Sequence, residues 1–71
     1  MTIVTRDEAL AISARALEVA KRAKSLGRDV KEARRLMRGC RDAMMSGDYA
    51  RAAWFAEEVL RIFRGISPEA R

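Results

Sequence analysis

Three sets of side chains in this sequence could take part in chemistry: the lone thiol Cys40, the adjacent carboxylates Glu57 and Glu58, and the basic run Lys31, Arg34, Arg35, Arg38 and Arg41. A thiol attacks only as a thiolate with a base or cation beside it, and paired carboxylates share acid and base work only where they converge. Arginine forks, by contrast, bind phosphate oxygens wherever they are presented. The chain has no histidine, so the commonest general base and the commonest nitrogen ligand for a metal are both missing. Cys40 falls on the apolar stripe of a helical segment, the setting of a small buried thiol rather than a nucleophile. Glu57 and Glu58 are consecutive, so on a helix they diverge, and Glu57 has Arg61 four residues on as a surface partner. Glycine-rich phosphate loops, cysteine clusters and metal-ligand spacings are absent. The expectation is a chain with no catalytic residue, no cofactor, no metal site and no enzymatic activity.

Binding chemistry is better represented. At about 100° per residue, Lys31, Arg34, Arg35, Arg38 and Arg41 share one third of their helix beside its apolar stripe, with only Asp42 among them. Such a ridge can track the phosphates of RNA or of a ribonucleoprotein such as the ribosome. It can equally be a solvated face whose long stems cover a narrow core stripe. The net charge of +5 and the pI of about 10.4 favour acidic partners without choosing among them. No basic cluster is interleaved with several aromatics, so a platform for stacking single-stranded bases is not expected.

The other binding candidate is Trp54. On the wheel of its helix the buried arc centres between Tyr49, Ala56, Leu60 and Phe63, and Trp54 falls nearly opposite, among Ala50, Arg51, Glu57, Glu58 and Arg61. An indole left in water there gains nothing for the fold, whereas at an interface it is among the residues that dominate binding energy. Trp54, Arg51, Glu58 and Arg61 are therefore the candidate partner-binding residues. The alternative is an indole lying flat across neighbouring arginine stems, or one covered by the lead segment Met1 to Val4.

Helices must position all of these groups. Thr5-Arg6-Asp7-Glu8 has the form of a capping box, and Ala9, Ile12, Ala16, Val19, Ala23 and Leu26 follow at spacings of three and four, with Leu10, Leu17 and Ala20 on the flank. Glu18 stands four residues before Arg22, in the favourable order. Gly27 ends this helix, and Asp29 with Glu32 has the form of a second box. Val30, Ala33, Met37, Cys40 and Met44 then repeat the spacing, with Leu36 and Ala43 beside them. Gly39 lies in mid-helix, where it costs about 1 kcal/mol relative to alanine, and a close helix crossing is the physical reason to keep it.

Ser46-Gly47-Asp48-Tyr49 turns the chain back. Gly47 can take the left-handed backbone that ends one helix, and Asp48 can cap the next. Beyond it, Tyr49, Ala52, Ala53, Phe55, Ala56, Val59, Leu60, Ile62, Phe63 and Ile66 form the central wall. The reading is an all-α, three-helix antiparallel bundle, up-down-up, with helices at about 6–26, 30–45 and 49–64. Residues 65–71 are a tail or, from Ser67-Pro68-Glu69, the start of a further helix.

Seventy-one residues allow one domain, and the 49% apolar share is dominated by alanine, so a partner protein or a second copy of the chain would help the core. One cysteine permits no internal disulfide, and no long apolar run marks a signal or a membrane span, which points to the cytoplasm. Asn and Gln are absent and Arg far outnumbers Lys, a composition that fits a heat-adapted organism.

Gly47-Asp48-Tyr49 followed by Ala52 and Ala56, with Ser67-Pro68-Glu69-Ala70 further on, resembles the hairpin of a tetratricopeptide-type repeat, or of the related three-helix modules that dock partner peptides. The resemblance covers roughly the second half of the chain. It implies a partner-binding helical scaffold.

Overall fold

The computed structural model describes residues 3–66, which form three α-helices: α1 (Arg6–Ser25), α2 (Lys31–Met45) and α3 (Tyr49–Ile62). They pack as an all-α three-helix bundle, and the local chemistry at most of the helix ends is what the side chains dictate. At the start of α1, Glu8 N–H donates to the Thr5 hydroxyl at 3.1 Å, and Thr5 N–H donates to Glu8 Oε1 at 3.0 Å. This reciprocal box holds the Glu8 carboxyl below its ordinary value of 4.5, through the Thr5 backbone N–H first and its hydroxyl second. α1 and α2 end alike. Arg28 N–H donates to Ala23 O at 2.9 Å and Asp48 N–H to Ala43 O at 2.9 Å, with Gly27 at φ 81° and Gly47 at φ 79° supplying the left-handed step. Asp48 then caps α3, its Oδ1 accepting Arg51 N–H at 3.2 Å.

Two ends differ from expectation. Val30, not Asp29, is the cap residue of α2, and it offers no side-chain oxygen. Asp29 stands one position too early to reach the third amide of the helix, so the box with Glu32 does not form; its Oδ1 takes Lys31 N–H at 2.9 Å in a two-residue turn instead. α3 ends at Ile62 rather than near Arg64. Phe63 leaves helical geometry at ψ 37°, and Arg64 N–H donates to Arg61 O at 3.3 Å as the backbone tightens ahead of Gly65. The expected helix start at Ser67-Pro68-Glu69 and the lead residues Met1 and Thr2 lie outside the described residues.

α3 is the central element. It packs along both α1 and α2, whereas α1 and α2 meet each other only sparsely. The buried set is small in volume: Ala9, Ala16, Ala23, Ala33, Ala43, Ala52 and Ala56 surround Val19, Val59, Cys40 and Phe63. Small side chains let the helix backbones approach closely. α3 comes close to the backbone of α2 at Gly39, where an added Cβ would lie 2.7 Å from Cζ and 2.8 Å from Cε1 of Phe55. The ring of Phe55 therefore rests on the backbone of α2, which is the close crossing that justifies a mid-helix glycine. Arg28, in the α1–α2 connection, sets its guanidinium 5.9 Å from the centre of the Phe63 ring and closes that end of the core.

The large apolar side chains are less buried than their wheel positions predict. Leu10 and Leu17, expected on the buried flank of α1, are 41% and 43% exposed, and Ile62 of the expected central wall is 41% exposed. Two ion pairs also shift by a position. Glu18 pairs with Lys21 at 3.8 Å rather than with Arg22, and Arg61 pairs with Glu58 rather than with Glu57.

Candidate functional site

Trp54 lies on the outward side of α3, 53% exposed, while its sequence neighbour Ala53 is buried. The indole is not free on all sides. Its ring meets Phe55 edge-on, with centroids 5.2 Å apart and planes at 72°. Arg51, rather than lying under the indole, places its guanidinium 5.7 Å from the centre of the Phe55 ring. Phe55 is itself pinned on Gly39, so the chain of contacts from α2 outward is backbone, phenyl ring, indole, solvent. This orients Trp54 and leaves half of it bare. Arg51 and Arg61 are exposed and Glu58 is half-buried in its pair with Arg61, so the four predicted partner-binding residues share one mixed-charge face.

The basic run divides in two. Arg34, Arg38 and Arg41 gather around Met37 in a shallow hollow, and none of them forms an ion pair among the described residues. Arg35 turns to the other flank, where it stands 4.0 Å from Glu32 with most of its side chain in water. Lys31 is exposed at the first turn of α2. Arg34, Arg38 and Arg41 thus form one row, and Arg35 is drawn toward Glu32.

Cys40 is 2% exposed, and its Sγ lies 3.0 Å from Ser13 Oγ across the α1–α2 seam. The hydroxyl of Ser13 donates to Ala9 O at 2.6 Å, which commits its only proton. The proton in the Ser13–Cys40 contact is therefore the thiol's, and Cys40 ties α1 to α2 as S–H. Among the described residues, no three His, Cys, Asp or Glu side chains gather closely enough to hold a metal ion. No helix among them is long and apolar enough to cross a membrane.

One surface was not legible as such in the sequence. Between α1 and α2 runs an open groove formed by two adjoining hollows of about 270 and 350 Å³ that share Leu17 and Met37. Leu10, Leu17, Met37 and Met44 wall it, and Cys40 also lines it. Periodicity gives the face on which Leu10 and Leu17 lie; it carries no signal for whether α2 closes over them.

Comparison with known protein families, characterised proteins and solved structures finds no match to this chain.

Proposed function

We propose that this chain is a non-catalytic, cytoplasmic interaction module that binds a protein partner or a second copy of itself through the outer face of α3. The observation that carries this reading is Trp54, held by Phe55 and half bare in the middle of that face. A pre-oriented indole is an inexpensive anchor, because little side-chain freedom remains to be lost on binding. The charges around it are mixed, with Arg51 and Arg61 beside Glu57 and Glu58, a pattern that can pair with its own copy in antiparallel register. The reading without catalysis is supported by the missing histidine and by the engagement of the Cys40 thiol with Ser13.

Fluorescence of the single tryptophan tests it. Emission that moves to the blue and resists iodide as concentration rises, or as a captured partner is added, is the expected result, and Trp54→Ala should abolish the association while keeping the helical circular dichroism. Emission unchanged at every concentration, together with affinity capture under mild salt that is identical for wild type and Trp54→Ala, would sink the reading.

A second reading, RNA or ribonucleoprotein binding through α2, is favoured by the row Arg34, Arg38 and Arg41. Three phosphate contacts on a single strand give a slope of about −2 for log K against log salt. Reversal of the three arginines to glutamate should then remove binding.

A further inference from the structure

α1 and α2 are closed by α3 on one side only. On the other side the groove between them is walled by Leu10, Leu17, Met37 and Met44, and no residue of α3 contributes to it. Its rim is basic: Lys21 and Lys24 stand along α1, Arg34 and Arg41 along α2. No carboxylate lines either hollow; of the four rim cations, Lys21 pairs with Glu18 at 3.8 Å.

We infer that the α1–α2 groove docks an amphipathic helix of a partner protein, one whose apolar face is bordered by acidic residues. From Leu10 to Lys24 the groove follows α1 for about 20 Å at 1.5 Å per residue, which matches about four turns of a guest helix. A helix seated there would bury the half-exposed leucines and complete a four-helix arrangement, with α1 and α2 between α3 and the guest. The charges choose the guest. A second copy of this chain presenting the same groove would bring one basic rim against another, and like charges facing each other oppose that pairing. An acidic border places carboxylates against Lys21, Lys24, Arg34 and Arg41 instead. The groove lies away from Trp54, so this inference stands apart from the outer face of α3.

A labelled synthetic helix tests it, with leucines at i, i+3, i+4 and i+7 over four turns and glutamates on both borders. Titrated by fluorescence anisotropy at low and physiological salt, it should bind, and its twin with lysine in place of every glutamate should bind at least about tenfold more weakly. Leu10→Glu and Leu17→Glu change side chains already near half exposure, so the fold should persist by circular dichroism. Each should weaken the glutamate peptide by about tenfold or more, and Trp54→Ala should leave it unchanged. Equal binding of the two peptides, indifference to Leu17→Glu, or no binding at millimolar peptide would overturn the inference. So would a single-stranded RNA that displaces the peptide and is itself indifferent to Leu17→Glu, since the rim would then serve phosphates. Self-association abolished by Leu17→Glu would assign the groove to a second copy, and that too would overturn it.

Discussion

The two sides of the α1–α2 pair are built from different residues. The buried side is mostly alanine, with Ala9, Ala16, Ala23, Ala33 and Ala43 clustered with Ala52 and Ala56, and Val19 and Cys40 as its larger members on α1 and α2. The side that faces away carries Leu10, Leu17, Met37 and Met44, which are larger and only partly covered. α3 shows the same tendency, with Ala52, Ala53, Ala56 and Val59 inward and Trp54 outward. A fold of this length gains most by burying its largest apolar groups, so leaving several of them outside costs stability that small residues inside do not restore. The difference shows which of its large apolar side chains the fold leaves uncovered. Within this molecule the closed side holds the bundle together, and the open side and the indole face are two of the surfaces that keep apolar area in water.

That contrast breaks most sharply on a pair of truncations. Phe63→Ala removes the one large ring from the closed core, where it is 2% exposed under Arg28, and should cost about 3 kcal/mol or more. Leu17→Ala, on the open side, should cost less than about 1 kcal/mol because much of that side chain is already in water. Urea melts followed by circular dichroism measure both. A Leu17→Ala loss as large as that of Phe63→Ala would mean that α1 and α2 close on each other in solution and that there is no groove.

A smaller effect sharpens the comparison at the α2–α3 seam. Helix propensity alone makes Gly39→Ala stabilising by about 1 kcal/mol, but the Phe55 ring carbons stand 2.7 and 2.8 Å from the new Cβ. Overpacking of that kind costs about 1–3 kcal/mol, so the net change should be a loss of about 1 kcal/mol. In a Phe55→Ala background the ring is gone and the sign should reverse, to a gain of up to about 1 kcal/mol. The same sign in both backgrounds would show that Phe55 does not rest on Gly39, and the orientation of Trp54, which leans on Phe55, would lose its support.

How much of this could be read from the residues follows from what each signal encodes. Capping is local, so Thr5 with Glu8, Gly27, Gly47 and Asp48 announced their helix ends correctly, and with them the three-helix bundle. Asp29 misled because a one-residue offset turns a cap into a turn, and spacing alone does not reveal the offset. The outward position of Trp54 was legible because a wheel angle opposite the buried arc is solvent in any bundle. The exposure of Leu10 and Leu17 was not, because they lie at the edge of the arc. There, burial depends on how closely a second helix approaches, which is a property of the alanines on the other face. Arg61 could reach either glutamate, and rotamer packing, invisible in one dimension, selects Glu58.

The smallest expected effect asks whether α1 holds to α3 and to the groove independently of its own first turn. The Glu8 carboxyl titrates below its ordinary 4.5 because the Thr5 N–H and hydroxyl engage it in the fold. A lowered folded value means that the contribution of Glu8 to stability is fully present above the unfolded value and is lost as pH falls through the folded one. Stability should therefore be flat from pH 7 to about 5 as far as this group is concerned, and the start of α1 should loosen in more acid solution. Leu10 sits two residues beyond the box, at one end of the groove, so its resonances should follow Glu8, whereas amides along the α2–α3 seam should not. Two-dimensional NMR across that range measures both, and Glu8→Gln, which keeps an acceptor for Thr5 N–H but cannot titrate, should remove the acid dependence of Leu10. If Glu8 titrates at or above 4.5, the box is not formed in solution. If the α2–α3 amides shift in step with Glu8, the bundle yields as one unit, and the closed and open sides of α1 are not separable in stability as their packing implies.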